Sequence, residues 1–386
     1  MGAVEEPALK RVYKFVKVAI VQEWLVSVGG SDKVVKAIQE VFPQASIYTL
    51  VYNKETLSEL GFDEKKVQES FIAKLPGSKR NHRKYLPLFP FAIEQFDLST
   101  YDVIISSSHS VAKGVLTNSN QLHICYCHSP MRYAWDLYHP YLLESGLNKG
   151  LKGLLARYFL HKIRLWDYAS AARVDYFISN SNYIGKRIGK IYRRESTTIY
   201  PNIDLSKFDL CEVKEDYYIA CSRLVSYKKI DLIVSAFTQW GKKKLIVVGS
   251  GPDEKKIRKL AGPNVEVLGY QPLESLIKLL GKAKAMVFAA DEDFGMLPVE
   301  AQACGTPVIA FRKGGSLETI LEEKTGLFFE NQTEESIIGA LERFEVLKLD
   351  YNPSEIRKWA EKFGEDRFKE EIREFVFSKF NEFAGA

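Results

Sequence analysis

Short apolar runs alternate with amphipathic stretches along most of the chain, and the two kinds of segment carry different periods. Runs at Lys17–Val21, Ser46–Leu50, Val103–Ser107, His123–Cys127, Tyr176–Ser179 and Thr197–Tyr200 are apolar and β-branched without strict alternation. That is the pattern of parallel strands covered on both faces. The rhythm repeats at Tyr218–Ser222, Lys244–Val248, Val265–Leu268, Ala285–Ala289, Pro307–Ala310 and Gly326–Phe329. Helical patterns lie between them: Asp32–Val41, with Val34, Val35, Ile38 and Val41 on one face, then Asp231–Phe237 and Glu274–Gly281. Strand–helix alternation on both sides of one break predicts two doubly wound, Rossmann-like α/β domains. The break falls at Pro201-Asn202-Ile203-Asp204, which predicts domains over 1–200 and 205–364. Pro353 to Phe383 reads as helices, with 365–386 able to pack back on the first domain. Two such sheets facing each other would hold ligands at their carboxyl edges, across a cleft.

Composition narrows the class. Of 386 residues, 46% are hydrophobic and 27% charged, which excludes a disordered or collagen-like chain. The longest apolar stretch of note, Tyr85 to Ile93, has nine residues and two prolines, whereas a membrane span needs about 20 apolar residues. The N-terminus lacks an apolar signal core, and Glu6 stands where a myristoylation signal needs Ser or Thr. A cytoplasmic protein, soluble or peripheral on the inner face of the membrane, is expected. Five cysteines, an odd number, argue against a disulfide framework. Cys125, Cys127 and His128 suggest zinc, but they lie in an apolar run with no second cysteine pair, so they read as strand side chains. The net charge of +5 divides into +9 over residues 1–200 and −4 over the remainder, which implies two different surfaces.

The densest chemistry follows the run AMVFAA, in Asp291 to Gly305 (DEDFGMLPVEAQACG). Gly295 permits a tight turn and Pro298 suits the first turn of a helix, so the amides around 295–299 form an anion site at a helix N-terminus. Glu292 in the loop and Glu300 in the first helical turn flank it, and carboxylates beside an anion site suit the vicinal hydroxyls of a sugar. Arg223 and Lys228, in the segment SRLVSYKK after another strand, could clamp a diphosphate. Gly314-Gly315-Ser316 opens a further helix with Ser316 as the expected N-cap, whereas Gly249-Ser250-Gly251 lacks the third glycine of a dinucleotide fingerprint.

With these motifs in this order, the chain resembles the retaining GT-B glycosyltransferases of family 4 (glycosyl transferases group 1). The resemblance rests on Glu292 and Glu300 as an E-x7-E pair with Phe294-Gly295 inside it, the S-R-L-x-x-x-K segment and the GG-x-x-E loop. It implies that Glu300 binds the ribose of a sugar nucleotide and Glu292 a hydroxyl of the transferred hexose. Arg223 and Lys228 would hold the diphosphate, and the amides of Phe294, Gly295, Met296 and Leu297 would face sugar and phosphate. In the first half, Gly29 and Gly30 would form the family's glycine-rich loop beside the donor phosphate. His128, in a His-x-Pro segment, would lie beside the donor hexose, with His109 a lesser candidate.

The stretch Tyr126–Tyr138 most resembles bacterial O-antigen and exopolysaccharide mannosyltransferases. That subgroup implies GDP-mannose as donor and a lipid-linked saccharide as acceptor, and neither a cofactor nor a metal is expected. A UDP-sugar transferase of the same fold and a non-catalytic nucleotide-sugar-binding protein are the alternatives. Asp291-Glu292-Asp293 also spells a metal-binding D-x-D triplet, but without other hard ligands nearby it reads as loop carboxylates. The segment from Lys74 to Lys84, including Lys79, Arg80, Arg83 and Lys84, has five basic residues and no acidic one before a Leu- and Phe-rich stretch. It suits an anionic membrane surface or a lipid pyrophosphate, and no nucleic-acid fold accompanies it. Leu151–Trp166 is amphipathic and basic too, and reads at least as well as a face packed across the first domain.

Overall fold

The computed structural model describes residues 16–347 and 351–385, so the N-terminal segment with Glu6 lies outside the described residues. Seven strands build the first sheet: β1 (Val18–Gln22), β2 (Ser46–Thr49), β3 (Val67–Glu69), β4 (Val103–Ser108), β5 (Leu122–Cys127), β6 (Tyr176–Ser179) and β7 (Ser196–Thr198). All pair in parallel, in the order β3-β2-β1-β4-β5-β6-β7. Six strands build the second: β8 (Tyr217–Cys221), β9 (Lys244–Val248), β10 (Val265–Gly269), β11 (Ala285–Phe288), β12 (Val308–Phe311) and β13 (Gly326–Phe329). They are also parallel, in the order β10-β9-β8-β11-β12-β13. Each sheet therefore reverses its strand order once, between β1 and β4 and between β8 and β11. Both units are Rossmann-like.

The side-chain period of two builds both faces of the first sheet. Val18 and Ile20 of β1 join a core with Val34 and Ile38 from the amphipathic helix Gly30–Val41. Ala19 and Val21 point the other way, into a core with Phe89, Ile93 and Ile163. In the second unit, Tyr218 and Ala220 of β8 pack with Ile233 and Phe237 of the helix Ile230–Trp240 and with Ile337 and Leu341 of the helix Glu334–Leu347.

The first unit takes the described residues through Tyr200 and then Phe368 onward; the second is Pro201–Arg367. Phe368, Ile372 and Val376 of the helix Glu365–Ala384 are buried in the first unit's core, and Lys369 pairs with Glu40 at 2.5 Å. Twelve of the thirteen strands coincide with a predicted apolar run to within one or two residues at each end. The missed one, β3, is three residues at the sheet edge with sequence VQE, too short and polar to register as a run. Among the described residues no helix is long and apolar enough to cross a membrane.

Candidate active site

In the second unit the loops after β8 and β11 leave neighbouring strands at the reversal of strand order, where α/β sheets bind ligands. The loop after β8 is held from below: the Leu224 N–H donates to the Ser250 carbonyl at 2.9 Å and the Asp253 N–H to the Leu224 carbonyl at 3.1 Å. A Cβ on Gly249 (φ +135°) or Gly251 would overlap the backbone of Ser222 or Leu224. The Gly249-Ser250-Gly251 turn is thus a bed for the loop that carries Arg223. Past the single helical turn Ser226–Lys228, Lys229 takes a left-handed conformation (φ 57°) that starts the helix Ile230–Trp240.

Lys228 is ion-paired with Glu292 from the loop after β11, and the two side chains are 19% and 17% exposed. Arg223 is exposed on the same loop as Lys228. Gly295 (φ +83°) turns the chain into the helix Met296–Ala303, which has no side-chain cap and no acidic residue in its first turn. Its leading N–H groups keep the partial positive charge of a helix N-terminus. Glu300 is the fifth residue of this helix, so it stands in the second turn, not in the first as the spacing predicted, and it is half-buried. Phe294 is buried and edge-on to Phe363, with ring centroids 5.5 Å apart.

The two glycines after β12 seat a neighbouring loop. The Gly315 N–H donates to the Glu292 carbonyl at 2.8 Å. A Cβ on Gly314 (φ +68°) or Gly315 would overlap the backbone of Glu292 or Phe294. They let the Asp291–Phe294 loop rest directly on their backbone. Ser316 is not an N-cap: that role falls to Gly315, the helix Ser316–Thr319 is one turn, and the Ser316 hydroxyl is buried without a hydrogen-bond partner. In the D-x-D triplet, Asp291 pairs with Lys313 at 3.0 Å and Glu292 with Lys228.

The first unit gathers a second cluster at its own reversal of strand order. Glu23, just past β1, is fully buried. Its Oε1 accepts from the N–H groups of His109 (3.0 Å), Ser110 (2.8 Å) and Ala112 (3.2 Å) and from the Ser108 hydroxyl (3.1 Å). Its Oε2 lies 3.1 Å from His109 Nδ1. Burial alone would raise the Glu23 pKa, but His109 and these N–H groups hold it down at about 2. Burial works against a charged His109 as well, yet the Glu23 carboxylate raises its pKa.

His128, half-buried just past β5, shares a hydrogen bond with the Ser107 hydroxyl at 2.8 Å, and its ring centroid is 6.3 Å from that of His109. Burial, then the nearby His109, pushes its pKa down to about 3, so it is neutral near pH 7. At the helix Gly30–Val41, the Gly29 N–H donates to the Asp32 carboxylate at 2.8 Å. Gln22 donates to the same carboxylate at 3.0 Å, and burial pushes Asp32 up to about 6. A carboxylate therefore occupies the Gly29 amide at this glycine-bearing helix start, while the start at Gly295 carries none.

The patterning gave no role to Glu23, and a buried ion pair also escaped it. Lys113 and Asp167 are 2% and 0% exposed and paired. Asp167 also accepts from Trp135 Nε1 at 2.7 Å and from the Tyr192 hydroxyl at 2.9 Å. Cys125 and Cys127 pack in an apolar cluster with Phe177 and Ile184, and among the described residues no three His, Cys, Asp or Glu side chains are grouped to hold a metal ion. In the basic segment, Lys79 is engaged by Glu69 (3.6 Å) and the Tyr52 ring, whereas Arg80, Arg83 and Lys84 are exposed.

Comparison with known proteins gives these clusters a chemical context. Residues 204–362 match the model of the family Glycosyl transferases group 1. Over 128 residues, 29% of this chain and 33% of the relative, the chain is 38% identical to a GDP-mannose-dependent monoacylated alpha-(1-6)-phosphatidylinositol monomannoside mannosyltransferase of Corynebacterium glutamicum. Over 323 residues, 73% of this chain and 74% of the relative, it is 22% identical to the alpha-1,3/1,6-mannosyltransferase ALG2 of Mus musculus. The structure of Anabaena HepE in complex with UDP superposes with a TM-score of 0.70 at 15% identity, covering 94% of this chain and 100% of that one. The fold is GT-B, and the second unit is a glycosyltransferase group 1 domain.

Proposed function

We propose that this glycosyltransferase moves mannose from GDP-mannose to a hydroxyl of a lipid-linked saccharide, with retention of anomeric configuration and without a metal ion. The observation that carries the reading is the Lys228–Glu292 pair at the reversal of strand order, beside the uncapped start of the helix Met296–Ala303. Positive charge and the partial charge of a helix N-terminus suit a departing diphosphate, whose developing charge is the largest electrostatic demand of the step. Arg223 and Lys228 hold it, the amides from Phe294 to Leu297 face it, and Glu300 accepts from the ribose hydroxyls. Glu292 accepts from a hexose hydroxyl through the carboxylate that Lys228 orients. In the first unit, the neutral imidazole of His128 suits hydrogen bonding to a sugar hydroxyl without adding charge. Glu292 is engaged by Lys228, which makes it a poor nucleophile. We therefore favour front-face transfer: the acceptor oxygen bonds to the anomeric carbon as the bond to the diphosphate breaks, and the acceptor proton passes to the leaving phosphate. The mannosyl donor is supported by the names of the Corynebacterium and mouse relatives. A lipid-linked acceptor places the enzyme at the cytoplasmic membrane face, with Arg80, Arg83 and Lys84 toward anionic headgroups.

The test is a donor panel of GDP-mannose, GDP-fucose, UDP-glucose and UDP-N-acetylglucosamine, read by thermal shift and by transfer in excess chelator. GDP-mannose alone should raise the melting temperature and be consumed, giving an axial product linkage by NMR. Selective use of a UDP-sugar overturns the donor, an inverted product overturns retention, and loss of turnover in chelator overturns metal independence.

A further inference from the structure

The helix Gly150–Ser170 is apolar on two opposite faces, and only one of them is covered. Its inward stripe, Gly153, Leu160, Ile163, Asp167 and Ser170, is buried. That stripe, with Trp166 beside it, packs the helix across the first unit. On the opposite side, Leu151, Leu154, Leu155, Tyr158 and Leu165 recur at helical spacing and are 82%, 66%, 55%, 55% and 54% exposed. Monomeric proteins scatter exposed apolar residues singly, but a contiguous stripe of this size marks a surface that meets something.

Charge identifies the partner. From Ser145 to Trp166 the chain has five Lys and Arg residues and no acidic one. Lys149, Lys152, Arg157 and Lys162 are exposed along the stripe, whereas Arg164 is turned inward to the Ala134 carbonyl at 2.8 Å and onto the Tyr138 ring. Glu144, on the preceding helix Tyr138–Glu144, is the exposed acidic residue before this stretch in the chain. A protein partner would be expected to add acidic groups to the pattern for register; a purely basic apolar stripe is the composition of a helix lying in the plane of an anionic bilayer. Beyond the far end of the stripe, Trp166 Nε1 donates to Glu94 at 2.8 Å. That bond ties the helix to the segment carrying the exposed Leu88 and Phe91, which follows Arg80, Arg83 and Lys84.

We infer that the outward face of the helix Gly150–Ser170 docks the protein on an anionic lipid bilayer, its apolar stripe entering the acyl boundary and its lysines meeting lipid phosphates. This deepens the lipid-linked acceptor reading and rests on it only for what the docked enzyme would find there. The experiment is co-sedimentation of the full chain with vesicles of phosphatidylcholine, with and without 30% phosphatidylglycerol, containing neither donor nor acceptor. The wild type should bind the anionic vesicles and lose binding in high salt. The triple variant Leu151→Ser, Leu155→Ser, Tyr158→Ser should bind at least about tenfold more weakly, from the lost burial of three apolar side chains. Lys152→Glu with Lys162→Glu should do the same, and both variants should melt like the wild type. Variants that bind like the wild type overturn the inference and leave the Arg80–Lys84 patch as the docking element. A wild type that is dimeric in solution, with the triple variant monomeric, overturns it in favour of a second copy of this chain. Turnover lost on every lipid-linked acceptor while vesicle binding persists counts against the acceptor reading alone.

Discussion

His109 Nδ1 lies 3.1 Å from Glu23 Oε2, where β1 and β4 part, and Lys228 is paired with Glu292 at the matching point between β8 and β11. Each sheet thus sets a basic and an acidic side chain on the loops of its two central strands. The two pairs differ in what is left over. Four donors already occupy one oxygen of the buried Glu23, which fixes the His109–Ala112 loop. Lys228 and Glu292 both keep some exposure, so a ligand can reach them.

Lys228→Met should therefore reduce transfer by about 100-fold or more, the scale seen when one charge-stabilising donor is removed from a reacting centre. Glu292→Gln should reduce it by a similar factor, and neither change should move the melting temperature by more than a few degrees. Steady-state kinetics beside thermal melts check this; near-normal turnover in both variants removes the pair from the chemistry.

Gly315→Ala should push the Asp291–Phe294 loop off its seat, since the new Cβ would overlap the Phe294 backbone. Overpacking of this kind costs about 1–3 kcal/mol, and turnover should fall with it. Gly339→Ala is the contrast: its Cβ meets nothing within 4 Å on a helix, so stability should rise by about 0.5–1 kcal/mol with activity unchanged. Chemical denaturation of the two variants separates these outcomes.

Asp167→Ala would strand the Lys113 ammonium in the interior and remove the partner of Trp135 and Tyr192. A loss of about 3–5 kcal/mol is expected. Asp167→Asn, which keeps an acceptor oxygen but not the charge, should fall between the two. An Asp167→Ala protein that melts like the wild type would show that this pair contributes nothing to stability.

Acid should destabilise the first unit from about pH 6.5 downward. Burial lowers the pKa of His82 and His123 to about 4 and that of His128 to about 3. A histidine depressed in the folded state contributes stability that is present above its unfolded value near 6.5 and lost as pH falls through the folded value. Glu23, held at about 2, adds a loss as pH drops below its unfolded value, while Asp32, raised to about 6, works the other way between its two values. His82 is stacked on Phe89 with ring centroids 6.5 Å apart and tilted by 36° against Trp24 at 4.8 Å, and neither of its buried ring nitrogens has a hydrogen-bond partner. His82→Phe should keep the stack and flatten melting temperature against pH between 4 and 6.5. An unchanged slope would assign the acid sensitivity elsewhere.

The legible parts of the molecule are those whose information is local. Twelve strands announce themselves as apolar runs because parallel strands are buried on both faces, and the Glu292–Glu300 constellation lies in one stretch of chain. What stayed hidden depends on which strands become neighbours. Nothing in the residues around Glu23 says that β4 will deliver three backbone N–H groups to it, although the polar ends of β1 (Gln22-Glu23) and β4 (Ser106-Ser107-Ser108-His109) were a usable signal. The glycine pairs 249/251 and 314/315 each seat a loop from a neighbouring strand, the first against Ser222 and Leu224 and the second against Glu292 and Phe294, and that packing has no local sequence signal. Lys113 is the clearest miss, because a lysine is seldom assigned to an interior until its carboxylate is found.

The helix that places Phe368, Ile372 and Val376 in the first unit's core has a consequence for synthesis. A ribosome completes residues 201–367 as one continuous stretch, so the second unit has everything it needs to fold as it emerges. The first unit is begun earlier but must wait with part of its core open until that helix arrives. During that interval, exposed apolar surface near Phe42 and Tyr126 is the part of the nascent protein most open to chaperones and to aggregation.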